Sequence, residues 1–316
     1  MIPLDDIRRA RETIAGAAVR MPLVRFPAPE APCEIWLKLE NLQPIGSFKI
    51  RGAVNAVRQT PKSVIANGVL TASAGNMAQG VAWAAREAGV EATIAVPETA
   101  PQTKLDAIER LGGKVMKMPF ADWWRAIVES RIEGVEGHFV HPVQDPLVMA
   151  GNGTIGLEIV EDLPDVDTVA CGFGGGGLST GIASAVKALE PGTRLVAVQP
   201  ETAAALVPSF AAGHPVAVDH TPSFVDGAGA GSVLEPMWPL VREAVDEAVA
   251  VTLDETAAAV RLIAERCRVI AEGAGALPVA AALAGKAGSG KVVCVVSGGN
   301  IDFATLRAIL SGRTPD

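Results

Sequence analysis

The chain has 316 residues, of which 49% are hydrophobic and 20% charged, so it can bury a sizeable core in one large or two medium domains. Its formal net charge of -8 argues against a nucleic-acid surface, because phosphate neutralisation needs clustered lysine and arginine. The absence of tyrosine excludes mechanisms that need a phenol as acid, base or nucleophile. A small-molecule partner is therefore expected.

The sequence shows no pattern typical of a membrane span, a signal peptide or a disulfide framework. The longest apolar stretch, near residues 274–285, contains Pro278 and is well short of the roughly twenty residues of a membrane span. The first residues lack the basic flank and apolar core of a signal peptide, so we expect a cytoplasmic protein without membrane contact. Four cysteines without paired spacing are expected to be buried free thiols: Cys33, Cys171, Cys267 and Cys294.

The first informative element is a predicted helix that starts near Lys49. Residues 46–53 read GSFKIRGA, and the apolar side chains Ile50, Val54 and Val57 recur at helical spacing. A cation at a helix start opposes the positive end of the helix dipole, so Lys49 suits a neutral or imine-bonded state better than a surface charge. A solvated surface lysine is the alternative interpretation.

The rest of the chain alternates strand-like and helix-like segments. Strands are predicted at 35–40, 69–72, 92–96, 168–171, 195–198 and 292–296. Helices are predicted at 77–87, 104–111, 179–189 and 255–266. This order predicts an α/β fold with mostly parallel, open twisted sheets and helices on both faces. Ligands bind beyond the carboxyl ends of such strands, which directs attention to the loops there.

Four consecutive glycines, residues 174–177, lie between a predicted strand and a predicted helix. Backbone N–H groups can converge there and the helix dipole adds positive potential, so the loop suits a phosphate group. No lysine follows the glycines, which excludes a nucleoside-triphosphate P-loop. Two alternatives are a tight packing turn and an NAD site, since the spacing from Gly172 matches G-x-G-x-x-G and Glu201 follows the next strand.

Two further loops follow predicted strands. Residues 73–76 (SAGN) precede a helix, so their N–H groups and the Ser73 hydroxyl can hold a carboxylate, while Asn76 can donate to a phenolate-type oxygen. Ser297 ends the strand at 292–296 and is expected to face the same crevice as the glycines. Helix capping by Ser73 or Asn76, and a turn role for Ser297, are the alternatives.

Together these motifs closely resemble the threonine/serine dehydratases, which are pyridoxal-phosphate enzymes of the tryptophan-synthase-β-like fold, or fold type II. The similar stretches are 36–44, 46–53, 73–76, 174–177 and 297–302, with others at 96–104, 141–146, 151–158, 224–227 and 272–275. The resemblance implies a large cofactor-binding domain of residues 1–52 and 146–316, and a small substrate-side domain of residues 53–145. It also implies a cofactor in the cleft between these domains, and a homodimer.

The resemblance assigns roles to individual residues. Lys49 forms a Schiff base with the cofactor and later moves the substrate α-proton. Phe48 lies against the cofactor ring, Asn76 bonds its 3'-oxygen and Ser297 meets its pyridine nitrogen. The phosphate is bound by Gly174, Gly175, Gly176, Gly177 and Leu178. The substrate carboxylate is enclosed by Ser73, Ala74, Gly75, Asn76 and Met77.

The implied reaction is dehydration and deamination of a β-hydroxy amino acid, such as threonine, serine or a bulkier 3-substituted serine, to a 2-oxo acid and ammonia. Ser297 fits this chemistry, because a serine cannot keep a pyridine protonated as an aspartate would, and β-elimination is then favoured over transamination. The alternatives are a racemase, a threonine synthase or a β-replacement enzyme of the same fold, and, from other classes, an NAD-dependent oxidoreductase or a catalytically silent binding protein.

The sequence departs from the family at several positions. Met77 stands where the family usually has histidine, which leaves substrate preference open and suggests a larger or more apolar β-substituent than that of serine. Ala74 replaces the serine of related racemases, which makes racemisation improbable. Glu201 has no partner carboxylates at 203 and 205, so no metal is expected. Because few residues follow Ser297, we expect no C-terminal regulatory domain and a catabolic role.

Overall fold

The computed structural model describes residues 1–315 and contains ten strands in two sheets. In chain order they are β1 (Leu23–Arg25), β2 (Glu34–Lys38), β3 (Val69–Ala72), β4 (Ala92–Pro97), β5 (Gly113–Met118), β6 (His138–Phe139), β7 (Thr168–Gly172), β8 (Arg194–Pro200), β9 (Glu247–Val251) and β10 (Lys291–Val295). The larger sheet has the order β1-β2-β10-β7-β8-β9, and the smaller one β5-β4-β3-β6.

Twelve α-helices cover these sheets in the described part of the chain. They are α1 (Leu4–Thr13), α2 (Lys49–Gln59), α3 (Asn76–Ala88), α4 (Gln102–Arg110), α5 (Phe120–Glu129), α6 (Pro146–Asp162), α7 (Gly177–Leu189), α8 (Leu206–Ala212), α9 (Trp238–Ala244), α10 (Leu253–Cys267), α11 (Gly273–Leu283) and α12 (Phe303–Leu310). None of the helices within residues 1–315 is long and apolar enough to cross a membrane.

The larger sheet is parallel except for the antiparallel pair β1 and β2. Alternate residues of its central strands enter different cores: Val293 and Val295 pack with α6 and α7, whereas Val292 and Cys294 pack with α10 and α11. Both faces are therefore buried, which explains why these strands read as continuous apolar runs. The smaller sheet is parallel throughout and is likewise covered on two faces.

Helix α6 connects the two parts of the fold that carry the chemical motifs. It packs against both α2 and α7. A Cβ atom at Gly151 of α6 would lie 2.4 Å from the Arg51 carbonyl oxygen of α2, so only glycine permits this close approach. The helix that begins at Lys49 and the helix that follows the glycine loop are thus held in fixed relation.

The structure confirms the parallel α/β architecture, and each predicted strand and helix is present with small shifts at its ends. The predicted strand at 35–40 ends at Lys38, because Glu40–Leu42 form a short 3-10 helix. Strands β1, β5, β6 and β9 were not predicted; β1 and β6, with three and two residues, are too short to show an alternating pattern.

The cysteines are free thiols, as expected, but only two of them are buried. Cys171 and Cys294 lie inside central strands, where burial raises the pKa of the Cys171 thiol to about 12. The prediction of burial was wrong for Cys33 and Cys267, which are half-buried. Cys33 directly precedes β2 and Cys267 is the last residue of α10, so both lie at the ends of elements and are partly exposed.

Candidate active site

A cavity of about 890 Å³ lies where elements of the two sheets face each other. Its walls include every site residue named from the sequence: Phe48, Lys49, Ser73, Ala74, Gly75, Asn76, Met77, Gly174, Gly175, Gly176, Gly177, Leu178 and Ser297. The loops that follow β7 and β10 meet at the carboxyl edge of the larger sheet, and the loop that follows β3 of the smaller sheet lines the same cavity.

Lys49 is the first residue of α2 and lies half-buried on the cavity wall. Its Nζ atom donates to the Pro142 carbonyl oxygen at 3.3 Å and lies 5.1 Å from the centroid of the Phe48 ring. Burial lowers the pKa of the Lys49 ammonium from 10.5 to about 8, and the nearby Glu272 carboxylate partly opposes this shift. The Lys49 ammonium therefore loses its proton at a lower pH than the ammonium of an exposed lysine does.

The segment before Lys49 pairs with the segment that follows β10. Ser47 and Gly298 form an antiparallel bridge, and the Phe48 N–H donates to the Ser297 carbonyl oxygen at 3.0 Å. The Gly299 N–H donates to the Gly46 carbonyl oxygen at 2.9 Å. These backbone contacts keep Ser297 and Lys49, which are far apart in sequence, next to each other.

The glycine loop forms the end of the cavity at the start of α7. Gly176 has φ of 96°, a conformation that favours glycine, and a Cβ atom at Gly175 would lie 2.5 Å from Val143. The first N–H groups of α7 have no partner within the helix and carry the positive end of its dipole. The geometry of the loop thus suits a phosphate dianion.

The loop of residues 73–77 forms the wall next to the smaller sheet. The Gly75 N–H donates to the Ser73 hydroxyl at 3.2 Å, so this donor is already engaged within the loop. The Asn76 amide donates to Glu272 at 2.8 Å and accepts from Asn300 at 2.7 Å. Met77 is buried behind them and lines the cavity.

Glu272 is a site residue that the sequence interpretation missed. It precedes α11, its side chain is buried, and it lines the cavity. Burial and the nearby Asp226 carboxylate raise the pKa of Glu272 to about 7, against the opposing effects of Asn76, Lys104 and the Asn300 backbone. The segment 272–275 was noted only as a family-like stretch, and a lone glutamate before a helix offers no further signal.

The acidic residue of the NAD alternative lies outside the site, and two residues at or next to the cavity make structural contacts. Glu201 is not among the cavity residues, and it accepts from the Leu253 N–H at the start of α10. His141 adjoins the cavity, but burial lowers the pKa of its imidazole to about 4 and its Nδ1 accepts from two backbone N–H groups. Trp123 packs against Phe120 and Trp124 and also lines the cavity.

Comparisons with known proteins agree with this geometry. The chain is 41% identical to the L-threonine ammonia-lyase of Thermotoga maritima, over 98% of this chain and 79% of that protein. Its fold is similar to that of maize serine racemase, with a TM-score of 0.90 and 32% identity over 98% of this chain and 97% of that one. It is also similar to the processed form of threonine deaminase isoform 2 from Solanum lycopersicum, with a TM-score of 0.88 and 34% identity over 98% and 87% of the two chains.

A family profile gives the same result independently. Residues 14–298 match the pyridoxal-phosphate dependent enzymes, and this range includes the lysine, the glycine loop and Ser297. This match favours a pyridoxal-phosphate site over an NAD site at the glycine loop. The chain belongs to the family of pyridoxal-phosphate dependent enzymes.

Proposed function

We propose that this protein is an ammonia-lyase that dehydrates and deaminates a β-hydroxy amino acid to a 2-oxo acid and ammonia. The observation that carries the proposal is the meeting of Lys49, the glycine loop, Asn76 and Ser297 on one cavity. Each of these features suits a different edge of pyridoxal phosphate. The names of the similar threonine ammonia-lyase and threonine deaminase support the same activity.

The cofactor site is built from four groups of residues. The N–H groups of residues 174–178 would hold the phosphate, and Phe48 would lie against the ring. Asn76 would donate to the ring oxygen and Ser297 would meet the ring nitrogen. Lys49 would hold the cofactor covalently as a Schiff base. When bound, pyridoxal phosphate supplies the electron sink that acidifies the substrate Cα proton.

The chain's own residues then direct the reaction. The loop of residues 73–77 would orient the substrate carboxylate through its N–H groups and hydroxyl. Lys49 would take the Cα proton at Nζ, and its low pKa makes the neutral amine accessible near neutral pH. Ser297 is a neutral partner for the ring nitrogen, which favours expulsion of the β-hydroxyl over transamination.

The same proposal covers the organisation and setting of the protein. We place the large domain at residues 1–52 and 146–316 and the small one at 53–145, with the cofactor in the cleft, and we expect a homodimer. Free thiols suit the reducing cytoplasm. We propose no metal requirement, since the Glu201 carboxylate is engaged in capping α10.

Threonine is the first substrate to test, followed by serine and 3-phenylserine. Because Met77 is buried at the cavity wall and offers no titratable group, we expect serine to be poorer than threonine or the bulkier amino acid. The assay measures kcat/KM from ammonia and 2-oxo acid release. A strong preference for serine would contradict the apolar role of Met77, and no turnover of any β-hydroxy amino acid would refute the proposed activity.

Racemisation is the second candidate, because the fold is so similar to that of a serine racemase. Ala74 lines the cavity and has no hydroxyl with which to protonate the opposite face of Cα. Chiral analysis of unreacted L-serine in the same assay should therefore show no D-serine above the blank. Accumulation of D-serine at a rate comparable to 2-oxo acid release would favour the racemase.

A further inference from the structure

Glu272 forms a contact between two distant loops of the cavity. Its Oε1 accepts from Asn76 Nδ2 at 2.8 Å, although the two residues are 196 positions apart. The backbone of Glu272 is anchored too, because its N–H donates to the Gly298 carbonyl oxygen at 3.0 Å. The carboxyl is therefore fixed in place and directed at the Asn76 amide.

The orientation of the Asn76 amide follows from its partners. Asn300 Nδ2 donates one N–H to the Ile45 carbonyl oxygen at 2.9 Å and the other to Asn76 Oδ1 at 2.7 Å. A carboxylate only accepts, so Asn76 Nδ2 must be the atom that faces Glu272. One N–H of the Asn76 amide is left for a ligand in the cavity.

The backbone around Glu272 leaves room for this arrangement. A Cβ atom at Gly298 would lie 2.3 Å from Glu272 Oε1 and 3.1 Å from Asn76 Nδ2. Any larger residue at position 298 would displace the carboxyl or the amide. Glycine at this position thus preserves the contact between Glu272 and Asn76.

We propose that Glu272 is a positioning residue, which holds the Asn76 amide so that its free N–H is directed at the ring oxygen of the cofactor. This rests on the proposed function, in which Asn76 is the donor to that oxygen. Glu272 acts through Asn76 and through its charge. An ionised carboxylate accepts more strongly than a neutral acid, so the amide is held best when Glu272 is charged.

Charged groups from several elements set that ionisation. Asp226, in the loop between α8 and α9, raises the pKa of Glu272, and Lys104 of α4, which pairs with Asp226, lowers it. Lys49 of α2 is coupled to Glu272 as the nearby cation. With a pKa of about 7, Glu272 is charged above that pH and neutral below it. Cofactor affinity should therefore fall as the pH drops through this range.

The test measures the affinity of the apo protein for pyridoxal phosphate by absorbance titration on both sides of pH 7, in wild type and variants. Glu272→Gln keeps an accepting oxygen, so its affinity should stay within roughly threefold of wild type while the Glu272-dependent change with pH is lost. Glu272→Ala removes the acceptor, and its affinity should fall about tenfold. The cofactor's own ionisation affects wild type and Glu272→Gln alike. Subtracting one pH profile of affinity from the other therefore removes that contribution.

Two further variants move the pKa of Glu272 in opposite directions. Asp226→Asn should shift the pH transition downward, because a repelling charge is lost, and Lys104→Met should shift it upward. A purely structural role for Glu272 would produce no such opposed shifts. A Glu272→Gln protein with the wild-type pH dependence of cofactor affinity would overturn the positioning role. So would an unchanged pH transition in both Asp226→Asn and Lys104→Met.

Failure of this inference differs from failure of the proposed function. If wild type binds pyridoxal phosphate and releases 2-oxo acid while the Glu272 variants behave like wild type, only the positioning role is wrong. If wild type neither binds the cofactor nor turns over any β-hydroxy amino acid, the proposed function itself is wrong.

Discussion

At the scale of single residues, Lys49 shows how position converts a common side chain into a reactive one. The helix start and burial both disfavour its charged form, whereas the Glu272 carboxylate favours it. Burial outweighs the carboxylate, and the pKa falls from 10.5 to about 8. The sequence could indicate the helix start, but it could not reveal Glu272 as the neighbour.

This balance predicts the pH dependence of cofactor attachment. Only the neutral amine of Lys49 attacks an aldehyde, so the rate of attachment to the apo protein should rise with pH and level off above about 8. Stopped-flow absorbance gives the rate. In Glu272→Gln the plateau should begin at lower pH, since the carboxylate raises the pKa of Lys49. A rate that keeps rising past pH 10 would show an ordinary lysine.

At the scale of elements, α2 is anchored by a buried ion network two residues after Lys49. Arg51 contacts both oxygens of Glu40 at 2.8 Å and both oxygens of Glu158 at 2.7 and 2.9 Å. Lys38, the last residue of β2, forms an ion pair with Glu158 of α6 at 2.6 Å. Burial opposes ionisation of Glu158, but the charges of Arg51 and Lys38 outweigh it and lower its pKa.

Removal of Arg51 should therefore destabilise the whole protein. Arg51→Ala leaves two buried carboxylates without their guanidinium partner, and we expect a loss of roughly 3 to 5 kcal/mol in the free energy of unfolding. Urea denaturation measures it. Arg8→Ala is the control, because Arg8 and Asp5 form an exposed ion pair within α1. Its free energy of unfolding should equal that of wild type within experimental error. Equal effects of the two substitutions would contradict the anchoring role.

At the scale of the whole molecule, the parts of the site that the sequence predicts are those carried by loops after strands. Residues 174–177 and 297 follow the neighbouring strands β7 and β10 of the larger sheet, and their carboxyl ends share an edge; residues 73–76 follow β3 of the smaller sheet and line the same cavity from the opposite side. Glu272 precedes a helix instead, and it reaches the cavity through tertiary contacts with Asn76 and Gly298. Such contacts leave no local pattern, which is why this residue was missed.

We propose that these separate loops form one cofactor site in which Lys49 binds the cofactor covalently. The most direct test is the visible absorbance of the protein reconstituted with pyridoxal phosphate, compared with Lys49→Ala. Wild type should show a band at roughly 410 to 420 nm that borohydride reduction fixes to the chain, and Lys49→Ala should lack both the fixed cofactor and turnover while keeping its fold by circular dichroism. A folded Lys49→Ala protein that retains covalently reducible cofactor would contradict the account.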